Sequence, residues 1–232
     1  AKQMGITTWD DPSRFGLSLT LGGGEVTMMD LASVYSIFAN GGNKIPFNPI
    51  ISVLGPQGSD LDGRPEPADS KAGRSDPIGT QILDPSVAYQ INSILSDPVA
   101  RAPAFGTNSI LNLPGQGVAV KTGTTNSLRD NWTFGYTQNL LVSTWVGNND
   151  NTPMSSVASG ITGASPIWAR TMKTLLGVGP HLAFATPNNL IKVNVSCSKT
   201  PKYEYFVSGN IPKIDCTPKT GTILETAAAT SQ

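Results

Sequence analysis

The stretch Val118-Ala119-Val120-Lys121-Thr122-Gly123-Thr124-Thr125-Asn126-Ser127-Leu128-Arg129-Asp130-Asn131-Trp132-Thr133-Phe134-Gly135-Tyr136-Thr137-Gln138-Asn139-Leu140-Leu141-Val142-Ser143-Thr144-Trp145-Val146-Gly147 decides the fold. Val118 to Gly123 is a short β-rich run that ends in glycine. Trp132, Phe134 and Tyr136 then alternate with Thr133, Gly135 and Thr137, the period-two pattern of a strand. Thr137-Gln138-Asn139 is a short turn, and Leu140 to Val146 forms a further strand with Leu140, Val142, Thr144 and Val146 on one face. Three sequential strands with brief connections predict an antiparallel meander.

Helices flank this sheet in the sequence. Downstream, Pro166 starts a helix carrying Ile167, Trp168, Met172, Leu175 and Leu176, expected to lie across one face of the sheet. Upstream, Thr27 is an N-cap with Asp30 three residues on, and Met28, Leu31, Tyr35 and Phe38 form an apolar face that ends at Gly41-Gly42. Gly22-Gly23-Gly24 before it reads as a turn, because no strand-like run precedes it and no lysine follows as a phosphate loop requires. Ile45 to Leu54 reads as a strand or extended segment, and residues 55–80, rich in Gly, Pro, Asp and Ser, as an exposed excursion. Asp84-Pro85 opens a second helix with Val87, Ile91, Ile94 and Leu95 as its buried stripe, and Asp97-Pro98 is expected to stop it.

Composition excludes several functions. The 232 residues carry 16 Lys plus Arg against 16 Asp plus Glu, so net charge gives no case for nucleic acid or an anionic membrane surface. No apolar run is long enough to cross a bilayer. A lone histidine, His181, cannot build a zinc site, and neither a metal nor a cofactor is expected. Ala1-Lys2-Gln3-Met4 reads as the interior of a helix, so the chain is expected to be a piece of a longer protein. After Gly177 the texture changes: several prolines, both cysteines and the extended run Tyr203 to Val207 suggest a small β module, with Thr226 to Gln232 disordered. A disulfide between Cys197 and Cys216 would staple this core-poor tail outside the cytoplasm; two free thiols are the alternative.

The opening stretch resembles the Lys-Thr-Gly box and following hairpin of the penicillin-binding proteins. Other segments follow in matching order: Glu25 to Ala32 and Phe38 to Gly42, Arg101 to Gly106, Leu111 to Gly115, Trp145-Val146-Gly147, and Gly163 to Trp168. The likeness covers residues 1–176 and is strongest to the bifunctional class A enzymes; the tail is similar to the small C-terminal extension of some of them. The resemblance implies a mixed fold of the α/β (α+β) kind: an antiparallel sheet flanked by helices, like serine β-lactamases and incomplete at its N-terminus. Residues 1–176 would be the C-terminal part of a transpeptidase domain and 177–232 an appended extension.

The family's chemistry is serine acyl transfer on peptidoglycan stem peptides, which β-lactams imitate. Carried over, Lys121 and Thr124 are catalytic, and Thr122, Gly123, Thr124 and Thr125 bind substrate. The Thr124 N–H would be one oxyanion donor. The family's Ser-x-x-Lys and Ser-x-Asn motifs precede the box, and nothing before Lys121 matches them. Ser196-Cys197-Ser198-Lys199 and Ser208-Gly209-Asn210 fit the patterns but follow the box, and are read as coincidence. The nucleophile, a membrane anchor and a glycosyltransferase domain are expected upstream, with the work done outside the cytoplasmic membrane. A related β-lactamase, or a non-catalytic cell-wall-binding module, are the competing readings.

Overall fold

A computed structural model describes residues 1–50, 53–57, 59, 61, 79–154, 161–177, 183–214 and 216. Two compact units divide the chain, residues 1–188 and 189–232.

In the first unit, helix α1 spans Met28–Ala39. Thr27 caps it by accepting the Asp30 N–H at 3.0 Å. The Asp30 carboxylate turns away to hold the Thr7 N–H and hydroxyl at 2.8 and 2.7 Å, which ties the N-terminal segment to the helix. The expected face of Met28, Leu31, Tyr35 and Phe38 is only half-buried; Asp30, Ala32, Ser33, Ile37 and Ala39 are the buried residues. Strand β1, Asn43–Lys44, pairs with β2, Thr80–Gln81. Of Ile45 to Leu54, expected as a strand or extended segment, the described residues 45–50 and 53 carry no strand ladder. Pro46 and Pro49 lack the N–H groups that a ladder needs, and Leu54 makes only an isolated bridge. Most of the expected excursion, residues 62–78, lies outside the described residues.

Helix α2, Pro85–Ser96, starts where Asp84 accepts the Ser86 N–H at 2.8 Å. Its inward residues are Ser86, Ala88 and Asn92, whereas Val87 and Ile94 are 42% and 58% exposed. The apolar periodicity misjudged this face because hydrogen bonding chose it. The Tyr136 hydroxyl donates to Asn92 Oδ1 at 2.7 Å, and Asn92 Nδ2 donates to the Phe38 carbonyl at 2.8 Å. Tyr136→Phe would leave the buried Asn92 oxygen without its donor, at a cost of about 1–3 kcal/mol. A urea unfolding midpoint that does not fall would refute that bond. Asp97-Pro98 ends α2 but also begins α3, Pro98–Phe105, because Asp97 Oδ1 accepts the Val99 and Ala100 N–H groups at 2.7 and 3.1 Å.

The meander forms as the alternation predicts. Strands β3 (Ala119–Thr124), β4 (Asp130–Tyr136) and β5 (Leu141–Gly147) pair antiparallel in that order. Helix α4, Ala164–Leu176, lies on the face that carries Val120, Gly135 and Val142, with Trp168, Ala169 and Met172 buried against it. Ile167 and Leu175, expected inside, are 52% and 59% exposed. Helices α1 and α2 cover the opposite face, where Tyr35 stacks on Phe134 at 5.1 Å and Ala119 meets Tyr136. Beyond Gly177, Phe184 packs edge-on against Tyr136 at 5.8 Å, within the same unit.

In the second unit, β6 (Leu190–Asn194) pairs antiparallel with β7 (Tyr203–Val207), and Cys197 is disulfide-bonded to Cys216. The Lys192 ammonium sits over the rings of Tyr203 and Tyr205 at 5.1 and 5.9 Å. His181 and the expected disorder at Thr226 to Gln232 lie outside the described residues.

Candidate active site

Strand β3 is an edge strand among the described residues, bonded only to β4. Its hydrogen-bond parity decides what it offers. The Thr125 N–H donates to the Asp130 carbonyl at 3.0 Å, just beyond the ladder's end. In an antiparallel pair, alternate residues turn both backbone groups to the partner. Positions 125, 123, 121 and 119 therefore face β4, and Thr124, Thr122 and Val120 turn their backbone groups to the open edge. The second turn agrees: the Thr137 N–H donates to the Leu140 carbonyl at 2.8 Å, which leaves Asp130, Trp132, Phe134 and Tyr136 facing β3.

Side chains follow the other alternation. Lys121 and Gly123 share a face with Trp132 and Phe134, their register partners. Thr122 and Thr124 are on the α4 face. The Lys121 Nζ donates to the Thr122 carbonyl at 2.6 Å, so a cation lies beside one of the outward-facing carbonyls. Lys121 is exposed by surface area, yet neighbouring protein atoms withdraw enough water to lower its pKa from the ordinary lysine value. Its proton is correspondingly easier to lose. Gly123 has room within the fold: an added methyl would meet only the Trp132 Cβ, at an ordinary 3.7 Å. The fold does not require glycine there, and a methyl would matter to whatever lies along the strand.

The hairpin behind the strand is tied by polar side chains. Asp130 Oδ1 accepts the Trp145 Nε1–H at 2.9 Å, and its Oδ2 accepts the Thr125 hydroxyl at 3.1 Å. The Asp130 N–H donates back to Thr125 Oγ1 at 2.8 Å. The Thr125 hydroxyl, expected at the substrate, is thus engaged inside the turn. Trp132 is stacked on Phe134 at 5.8 Å and tilted against Trp145 at 6.4 Å. Fully buried Asn131 donates to Thr124 Oγ1 at 3.5 Å and accepts the Ala164 N–H at 2.7 Å, linking the strand end to the start of α4. Sequence reasoning singled out neither Asn131 nor the Trp145 indole; the signal was the run Asp130-Asn131 placed opposite Thr125-Thr124.

The two late motif matches have no such setting. Ser196 Oγ bonds Ser198 Oγ at 2.8 Å, and Ser198 donates to the Thr200 carbonyl, all in the loop beside the disulfide. The Ser208 N–H donates to the Asn189 carbonyl at the end of the β6–β7 pair, and the Asn210 N–H donates to the Val207 carbonyl in the turn after β7. Both stretches are in the second unit. Among the described residues no group of acidic, His or Cys side chains has the form of a metal site, and no helix is long and apolar enough to cross a membrane.

An edge strand carrying Lys-Thr-Gly-Thr, backed by a hairpin and a capping helix, is the arrangement that the resemblance to the penicillin-binding transpeptidases implies. Residues 7–172 match the family described as penicillin binding protein transpeptidase domain, and the chain belongs to that family. Penicillin-binding protein 1A of Neisseria cinerea is 32% identical over 178 residues, which is 77% of this chain and 21% of that protein. Among solved structures, penicillin-binding protein 1A from Haemophilus influenzae superposes with a TM-score of 0.69 at 24% identity, covering 91% of this chain and 36% of that one. The penicillin-binding protein PonA1 from Mycobacterium tuberculosis gives 0.65 at 22% identity, covering 97% and 56%. These two show the fold. The chain spans about a fifth of the length of the curated relatives it matches.

Proposed function

We propose that this chain supplies the substrate-receiving side of a peptidoglycan D,D-transpeptidase, acting outside the cytoplasmic membrane and inhibited by β-lactams. The observation that carries the reading is the open edge of β3, where the backbone groups of Thr122 and Thr124 face outward beside the Lys121 ammonium. An extended stem peptide pairs with such an edge through main-chain hydrogen bonds. Lys121, with the Thr122 and Thr124 hydroxyls, binds the terminal D-Ala carboxylate, and Gly123 lets the peptide lie close. A serine supplied by another part of the protein attacks the penultimate D-Ala carbonyl. The Thr124 N–H, with that serine's own N–H, receives the developing oxyanion. The C–N bond breaks, the terminal D-Ala leaves with the transferred proton, and an acceptor amine then displaces the serine to form the cross-link.

The test is covalent labelling with a fluorescent penicillin, a denaturing gel and peptide mapping. The chain of residues 1–232 alone is expected to take no label, and a protein that joins it to the family's upstream motifs is expected to label at the upstream serine. Label on any serine between Ala1 and Gln232 would overturn the assignment of the nucleophile. No label on the joined, folded protein would overturn the transpeptidase reading in favour of a non-catalytic wall-binding module.

A further inference from the structure

We infer that Asp130 is a positioning residue for acyl transfer, and that it holds the Thr124 N–H at the oxyanion position by clamping Thr125. The inference rests on the transpeptidase reading above. Four hydrogen bonds act at this clamp. The Asp130 carboxylate accepts the Thr125 hydroxyl and the Trp145 indole N–H, the Asp130 N–H donates to Thr125 Oγ1, and the Thr125 N–H donates to the Asp130 carbonyl. Thr125 immediately follows the outward-facing residue of the site, so the peptide that joins them is pinned from the inner side. The Thr124 N–H belongs to the preceding peptide, whose Gly123 carbonyl faces β4, so Thr124 is held on both sides: by the ladder at Gly123 and by the clamp at Thr125.

The turn that the clamp closes is under strain. Ser127 and Leu128 are consecutive non-glycine residues with φ of 60° and 54°. Left-handed backbone at such residues costs about 1–2 kcal/mol each. Strain of this kind persists only when its surroundings over-determine it. Here the Leu128 carbonyl accepts the Met154 N–H at 2.9 Å, Arg129 donates to the Asn151 carbonyl, and the Asp130–Thr125 pair shuts the base. With the carboxylate gone, the turn has a route to relax, and the movement passes through the Thr124–Thr125 peptide to Thr124 itself, whose N–H is then anchored only through the peptide it shares with Gly123. The carboxylate works through Thr125 and does not touch the reacting atoms.

The experiment compares Asp130→Ala, Asp130→Asn and Thr125→Val with the wild type in a transpeptidase that carries these residues together with its nucleophile. A fluorescent penicillin in stopped flow separates its dissociation constant from the acylation rate constant. A displacement of about 1 Å costs on the order of 100-fold in rate, so D130A is expected to acylate about 30-fold more slowly. Its dissociation constant should stay within about 3-fold, because the lost interaction belongs to the transition state. D130N keeps one acceptor oxygen and should fall between D130A and wild type.

An acylation constant unchanged in D130A would overturn the inference, as would a dissociation constant that rises in step with the lost rate. Should D130A fail to fold, T125V decides the matter, since it removes the same clamp from the other strand with little change in shape. Failure of the wild type to acylate would instead count against the transpeptidase reading itself.

Discussion

Thr124→Pro, in a transpeptidase that contains this strand and its nucleophile, is expected to lose about 100- to 1000-fold in acylation by penicillin, the usual loss for one oxyanion donor. The strand's parity lets the substitution remove this N–H without breaking the ladder, and it also removes the hydroxyl assigned to the carboxylate, so Thr124→Val, which keeps the N–H, is its control. Thr125, Gly123 and Lys121 face β4, so the Thr124 N–H is directed to the open edge and takes no part in the ladder. Proline is tolerated on an edge strand where its missing N–H would have pointed outward. The preceding residue is Gly123, the residue type least restricted by a following proline. Amide exchange at Thr125 reports whether the ladder survives: protection there should persist. A variant that keeps this protection and still acylates at the wild-type rate would show that the oxyanion is stabilised elsewhere.

The sheet was legible because its signal is local. Trp132, Phe134 and Tyr136 alternate without interruption, and the observed register puts all three on one face opposite Gly123, Lys121 and Ala119. The Lys121-Thr122-Gly123-Thr124 strand could be found for the same reason. Helix caps at Thr27 and Asp84 were equally readable, since a capping side chain and its target are two or three residues apart.

Burial faces were less so. Val87 and Ile94 look like core by hydropathy, yet α2 turns Asn92 inward to reach Tyr136, 44 positions away. No window of sequence contains both partners. The setting of Thr125 was not legible for a similar reason. Its type and position beside the box suggest a substrate contact, and only the turn geometry shows its hydroxyl held by Asp130. Strand β6 escaped notice because Leu190-Ile191-Lys192-Val193-Asn194 is short and lacks clean alternation.

Gly135→Ala is expected to destabilise the first unit by about 3 kcal/mol or more, at the upper end of overpacking costs. The glycine's backbone is ordinary, so the penalty is not conformational strain of φ. It is a collision: a β-carbon at 135 would stand 2.2, 2.5 and 2.6 Å from three atoms of the Trp168 indole. Flexible side chains yield to such a contact, but Trp168 is fully buried, with Ala169 and Met172 of its own helix packed beside it. The helix would have to lift from the sheet. That movement reaches the site, because the first turn of α4 is joined to β4 by Asn131 and by the Thr133–Ser165 hydroxyl pair at 2.9 Å. Denaturant unfolding measures the loss, and a double-mutant cycle with Trp168→Leu tests its cause. The smaller side chain vacates the space, so the two substitutions together should cost clearly less than the sum of each alone. Additive losses would mean that the indole is not what Gly135 makes room for.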